Sequence, residues 1–509
     1  MKLRTMSDLG NHIIYRCVVG SRAYGLAHEA SDTDVRGIYQ APNELLWSLT
    51  PPPEQLEDKE KDLCFWELAK FLRLALKGNP NILECLWTPL VDHATPMAEE
   101  LRAERGRFLS RTLATTYRGY ALSQFAKLER DLRTHGEYRW KHAMHLIRLM
   151  LAGISALRDG EVIIEVGSHR DRLLAIRRGE VPFAEMDAWR QELAAELDRA
   201  QARTSLPENP DFEWADAFVI RARLPQERGD IASRGPTVSP PAAKIAPRQV
   251  GGGGFVDAPA RDPRVQDECD AHPYPLLFAT ISGAHLYGFP SADSDVDLRG
   301  VHVLPVRDVI GLGTPRETVE LMHVRDGLEV DLVTHDLAKF ARLMLRRNGY
   351  VLEQLLSPLV IRTTPGHEEL IALAPTCITR HHGRHYLGFA ANQWKLITKH
   401  DPPRVKPALY AFRTLLTGIH LMRTGEVVAD LRALNAADPR PFLADLMARK
   451  VDGAEKEPID AGELPTLEIA FRQLVSKLEE AMAASSLPDA PAGAAAVEAF
   501  VLRVRKSSS

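Results

Sequence analysis

Cysteine is scarce: the 509 residues include Cys17, Cys64, Cys85, Cys269 and Cys377, odd in number and without the paired spacing of a metal knuckle. That excludes a disulfide framework, argues against structural zinc and points to a reducing, cytoplasmic compartment. An excess of one charge sign is equally lacking. With 64 Lys and Arg against 68 Asp and Glu, the formal net charge is −4, so no global basic field draws in nucleic acid and a polyanion has to meet a local patch. No apolar run approaches a membrane span, and the first residues lack the apolar core of a signal peptide, so a cytosolic protein with no membrane partner is expected. Hydrophobic residues at 45% and charged ones at 26% are ordinary globular values, which excludes a wholly disordered chain.

What is present is a duplication. Gly20 to Gly37 reads Gly-Ser-Arg-Ala-Tyr-Gly-Leu-Ala-His-Glu-Ala-Ser-Asp-Thr-Asp-Val-Arg-Gly, and Gly283 to Gly300 repeats it without a gap, setting Tyr24 over Tyr287, Asp32 over Asp295, Asp34 over Asp297 and Arg36 over Arg299. The correspondence continues through Asn79 to Leu86 and Asn348 to Leu355, through Gly160-Glu161-Val162 and Gly425-Glu426-Val427, and into Ala217 to Arg221 and Ala499 to Arg503. A whole unit of about 230 residues is therefore repeated, not a short motif. Between the copies lie Pro236, Pro240, Pro241, Pro247 and the run Gly251 to Gly254, a composition that buries no core. The expected division is a first unit at 1–225 (sheet-bearing core to about 95, helical part 105–225), a flexible linker at 226–270, and a second unit at 271–509 (core to about 362, helical part 375–505).

The repeated stretch carries chemistry. Ile13 to Val19 is a β-rich apolar run that stops at Gly20, where a residue without a side chain lets the backbone turn tightly, and amides exposed at such a turn suit phosphate oxygens. Asp32 and Asp34, like Asp295 and Asp297, flank one residue, so on an extended strand both carboxylates fall on one face. Acids forced together repel unless a cation intervenes, and hard oxygen ligands favour magnesium or manganese, which commonly also hold substrate phosphates. Arg36 and Arg299 read as partners for these carboxylates. Downstream, Lys141, His145 and Arg148 stand at i, i+4 and i+7 of a helical pattern, as do Lys406, Tyr410 and Arg413. Such a stripe is either a solvated helix flank or the basic end of a triphosphate site. Helices are expected from Trp66 to Lys77 and from Asp336 to Arg347. His381, His382 and His385 lack an acid or cysteine at ligand spacing and read as solvated or capping residues.

The pattern Gly-Ser-Arg-Ala-Tyr-Gly with Ser-Asp-x-Asp-x-Arg-Gly resembles the DNA polymerase β nucleotidyltransferase superfamily, in particular its RNA-ligase-associated branch. The resemblance implies an α+β fold in two tandem copies, each a small mixed sheet with helices followed by a helical half-domain. It implies a third acid on the neighbouring strand, Asp62 in the first copy, where Glu57, Asp58 and Glu60 lie close by, and Asp331 in the second. Asp32, Asp34, Asp62, Asp295, Asp297 and Asp331 are then the candidate catalytic and metal-ligating residues. Gly20, Ser21, Arg22, Lys141, His145, Arg148, Gly283, Lys406 and Arg413 are the candidate nucleotide-binding ones. The implied activity is transfer of NMP from an NTP to an acceptor hydroxyl, with Mg2+ or Mn2+ as cofactor and an RNA or other polynucleotide end as the implied acceptor. Gly283-Ala284-His285 replaces Gly20-Ser21-Arg22, so a nucleotide sensor or scaffold with one or both units inactive stands as the alternative.

Overall fold

A computed structural model describes residues 6–29, 31–224, 260, 262–399, 402–453, 457–460 and 462–507. Two compact units result, one carrying strands β1–β5 and the other β6–β10. In the first, β1 (Ile13–Val19), β2 (Asp34–Tyr39), β3 (Gln55–Asp58), β4 (Leu63–Glu67) and β5 (Val91–Ala94) form a sheet in the order β3-β4-β2-β1-β5. In the second, β6 (Leu276–Ile281), β7 (Val296–His302), β8 (Thr318–Arg325), β9 (Leu328–Asp336) and β10 (Val360–Arg362) stand in the order β10-β6-β7-β9-β8, the same topology read from the other edge. Two mixed sheets with helices, each followed by a helical part, make the chain a tandem α+β protein.

In each sheet, the register of one parallel strand pair decides where the acids meet. β2 pairs with β4 from Val35 opposite Leu63 to Tyr39 opposite Glu67, and β7 pairs with β9 with Asp297 opposite Asp331. Asp34 and Asp62 each precede a paired residue, so they too meet across the strands.

The helices start later than their sequence pattern predicts. Trp66 and Glu67 belong to β4, and the helix runs Leu68–Leu76 because the Glu67 carboxylate caps it, accepting from the Ala69 amide. Asp336 caps Leu337–Leu345 in the same way. The next short helices are capped by Asn79 and Asn348, and both bury their apolar faces. In the first unit the core runs without a break from Tyr15, Cys17 and Phe71 around the sheet to Leu146, Ile147 and Leu193 in the helical part, so sheet and helices share one interior. All five cysteines are buried and free.

The expected linker at 226–270 lies outside the described residues up to 259. Its end differs from expectation: Pro263–Asp270 is a helix, capped by Asp262 and buried through Val265 and Cys269. The second unit thus begins about ten residues earlier than its composition suggests. The three histidines are absorbed locally, His382 against Thr379, His381 beside Asp489 at 3.3 Å, and His385 edge-on to Tyr386. Among the described residues, no helix is long and apolar enough to cross a membrane.

Candidate active site

β1 ends at Gly20, whose φ of 73° is one that residues with a side chain rarely adopt. A methyl group built there would lie 2.1 Å from Asp34 Oδ2, and the same construction at Gly283, φ 60°, meets Asp297 Oδ2 at 1.8 Å. Glycine is thus required twice over: to turn the chain, and to let the second carboxylate of the motif lie directly beneath the turn. Gly20→Ala is expected to cost about 1–2 kcal/mol from the left-handed backbone alone and to push the Asp34 carboxylate aside. Equilibrium denaturation together with a Mn2+ titration would register both losses.

The turn is held from several sides. The Tyr24 amide donates to the Gly20 carbonyl at 3.0 Å and the Leu26 amide to that of Ser21 at 2.9 Å. From the helical part, Arg170 Nε donates to the Gly25 carbonyl at 2.9 Å and the Val166 amide to that of Tyr24. Arg22, expected beside a phosphate, instead points its guanidinium at the Ser31 carbonyl, 3.0 Å away, and ties off the loop.

Below the turn the acids converge. Arg36 Nη2 lies 3.1 Å from Asp34 Oδ1 and 3.1 Å from Asp62 Oδ1, while its Nη1 donates to the Asp62 carbonyl at 2.6 Å. Arg299 bridges Asp297 (2.6 Å) and Asp331 (2.8 Å) identically. The arginine that follows each Asp-x-Asp motif is thus a clasp for the acid pair, as its position suggests. The strand register selects Asp62 over its acidic neighbours. Asp58 instead turns to the amides of Glu60 and Lys61, at 3.1 and 3.2 Å, and Glu57 is paired with Gln55.

Crowding the acids raises their proton affinity. Burial first, then the hydrogen bond and charge of Asp62, lift Asp34 above the usual carboxylate range, with Arg36 and Lys141 pulling it back. Asp297 rises to about 6 through burial and through Asp295 and Asp331, opposed by Arg299 and Lys406. A carboxyl whose folded pKa lies above its unfolded value stabilises the fold at low pH and loses that contribution as pH rises through the folded pKa. Without added cation, wild type is therefore expected to lose about 3 kcal/mol at most, relative to Asp297→Asn, between about pH 4 and 6. Chemical denaturation of both chains across that range in a chelating buffer reads the difference.

The acids open onto a cleft of about 450 Å³ in the first unit. Gly20, Ser21, Asp32, Asp34 and Asp62 form its floor, with Trp66 and Asn81 beside them. The helix Trp140–Asp159 supplies Lys141 and His145 to its lining, and the helix Arg170–Arg178 supplies Arg177. His145 is no cation: burial, reinforced by Arg148 and Lys141, drives its pKa down to about 3, so it faces the cleft neutral, with its ring edge-on to Tyr24.

Arg148 leaves the expected stripe altogether. It is buried, with Nη1 2.7 Å from Glu84 Oε1 and its guanidinium 3.8 Å above the Tyr24 ring, while Tyr24 donates its hydroxyl hydrogen to Glu84 Oε2 at 2.5 Å. Arg413 repeats the arrangement with Glu353 at 2.9 Å and Tyr287 at 3.8 Å. These arginines form buried ion pairs that tie the tyrosine of the glycine turn to the helical part. Lys141 and Lys406 each lower the proton affinity of their unit's motif acid.

Sequence reasoning missed Arg177, whose Nη2 lies 3.1 Å from His28 Nε2 across the loop, because it sits in a run of charged helix residues that reads as solvated. It also missed Glu84 and Glu353 as partners. An acid inside the apolar frame Leu83-Glu84-Cys85-Leu86 was the available signal, since a buried charge requires an opposite one.

The donor set suits a hard divalent cation. It is all oxygen, two of its acids stand in register with a shared excess of negative charge, and the third, Asp32, lines the same cleft. Among the described residues, no three His, Cys, Asp or Glu side chains are gathered into a ready-made ion cage, and Arg36 pairs with both Asp34 and Asp62.

The comparisons with other proteins agree with this architecture. An uncharacterized protein of Methanocaldococcus jannaschii is 30% identical over 232 residues, 44% of this chain and 92% of that protein, a length matching one unit. An uncharacterized protein of Bacillus subtilis, YcgL, is 38% identical over 116 residues, covering 21% of this chain and 45% of YcgL. No solved structure matches the chain. A single family model matches residues 2–221 and again residues 262–503. The two matches span the duplicated units with their acid-bearing strands, and the chain belongs to RlaP, the RNA repair pathway DNA polymerase beta family.

Proposed function

We propose that the first unit is a cation-dependent nucleotidyltransferase that moves NMP from an NTP to an acceptor hydroxyl, with an RNA end as the acceptor. The observation that carries this reading is the parallel register of β2 and β4, which sets Asp34 against Asp62 under the Gly20 turn in an open cleft that Lys141 and Arg177 also line. Membership of a DNA polymerase beta family supports the reaction class, and the RNA-repair description of that family supports the acceptor.

In this reading Asp32, Asp34 and Asp62 would hold Mg2+ or Mn2+. Such an ion supplies charge neutralisation for a triphosphate and acidifies a nearby hydroxyl. Asp62, the most exposed of the clasped pair, accepts the proton of the acceptor hydroxyl as its oxygen forms the new bond to the α-phosphorus and the bond to pyrophosphate breaks. Gly20 and Ser21 cradle the phosphates from above, and Lys141 meets the charge of the leaving group. Positioning and charge complementarity suffice for this chemistry, so no covalent nucleophile is needed.

Incubating the full chain with each labelled NTP, a divalent cation and pools of RNA, DNA and protein acceptors tests the proposal. Labelled acceptor supports it. Nucleotide bound without any transfer would favour the sensor reading, in which the Arg36-closed acid pair serves recognition alone.

A further inference from the structure

The two acid sites share a sequence motif but not an environment. Asp34 is 30% exposed and Asp62 48%, whereas Asp297 is 18% and Asp331 21%; the clasp falls from 21% at Arg36 to 9% at Arg299. Backbone register does not explain this, since both strand pairs align alike. The side chains facing the acids do.

Asn81, at the cleft in the first unit, corresponds to Tyr350, whose hydroxyl lies 3.1 Å from Arg299 Nε and so reaches into the acid clasp. His145 corresponds to Tyr410, packed edge-on against Tyr287 at 5.4 Å and Phe289 at 5.8 Å. The Tyr410 hydroxyl lies within electrostatic reach of Asp297, Asp295 and Arg413. At the loop, exposed His28 meets half-buried Arg177 in the first unit, whereas its counterpart Ser291 is buried and takes a hydrogen bond from buried Lys450. The hydroxyl of Ser21 has no counterpart, because Ala284 stands there. Tyr350 and Tyr410 are each larger than the residue they replace, and Ser291 is buried where His28 is exposed.

We infer that the second unit is closed to nucleotide, with Tyr350 and Tyr410 as the two side chains that close it, so that the chain takes nucleotide once, in the first unit. The stoichiometry rests on the function proposed for the first unit; the closure does not. Tyr350 buttresses the Arg299 clasp, which offsets part of the charge of Asp297 and Asp331.

Two measurements on the full chain separate these parts. Labelled NTP with Mn2+ is expected to bind at one equivalent per chain, to be lost in Asp34→Asn and retained in Asp297→Asn. Tyr350→Asn combined with Tyr410→His is expected to raise binding to two. Two equivalents in the wild type, or loss of binding in Asp297→Asn, would overturn the inference. Carbodiimide labelling of carboxylates in the nucleotide-free chain, read by peptide mass spectrometry, tests closure without any ligand and without the double variant. Asp297 and Asp331, 18% and 21% exposed against 30% and 48% for Asp34 and Asp62, are expected to react about twofold more slowly than those two. Equal rates refute closure. Absence of nucleotide binding beside unequal rates would sink the reading of the first unit and leave the closed second site standing.

Discussion

Arg148→Ala is expected to destabilise the first unit by about 3–5 kcal/mol, because it strands a buried carboxylate without its counter-ion. Glu84 is buried, and its other oxygen is occupied by the Tyr24 hydroxyl. Removing the guanidinium also strips the cation from the face of the Tyr24 ring. A chain of two units need not unfold in one step, so the loss should appear as movement of one denaturation transition while the other stays in place. Arg413→Ala should move the other one, through Glu353 and Tyr287. Replacing the pair together, Glu84→Gln with Arg148→Met, should recover much of the loss, since the main cost of the single change is the orphaned charge. Were Arg148 a phosphate ligand, the outcome would be reversed: normal stability with weakened nucleotide binding. The Tyr24 contact adds a functional consequence, as the same residue carries the turn that begins at Gly20, so the loop should loosen with the pair.

That pair also marks how far the sequence could be read. The repeat of Asp-x-Asp, the glycine at the strand end and the arginine clasp were all visible, because each is a local pattern whose chemistry follows from residues within a few positions. The mixed sheet and its helical companion followed from the family resemblance that the repeated motif carries. Long-range pairing was not visible. Helical spacing puts Lys141, His145 and Arg148 near one face, but it does not say that one of the three turns inward to Glu84, some sixty residues away in the chain. The same limit left Asp62 among four neighbouring acids until the β2–β4 register singled it out. Trp66 misled for a different reason. Its surroundings are helix-prone, yet the cap at Glu67 holds it in the strand, where its ring borders the cleft.

Asp34→Asn is expected to reduce nucleotidyl transfer on the order of 10³-fold or more, since it removes several kcal/mol of charge stabilisation from the reacting centre. The fold should survive. Asp34 already sits in a site that penalises its charge, through burial and through Asp62, so a neutral isostere relieves repulsion while Arg36 keeps its bonds to Asp62. Denaturation midpoints equal to or above wild type, alongside lost turnover, are the expected pair of results. A chain that unfolds more easily would show that the carboxylate is needed by Arg36 and not by a cation, which would turn the acid pair into an element of architecture. Raising Mn2+ separates the cases further: a ligand defect should be partly rescued as occupancy is driven up, while a lost clasp should not respond. The first unit is the right place to ask, because its acids are open to solvent and its turn keeps the serine; the same substitution at Asp297 should leave transfer unchanged and report only on stability.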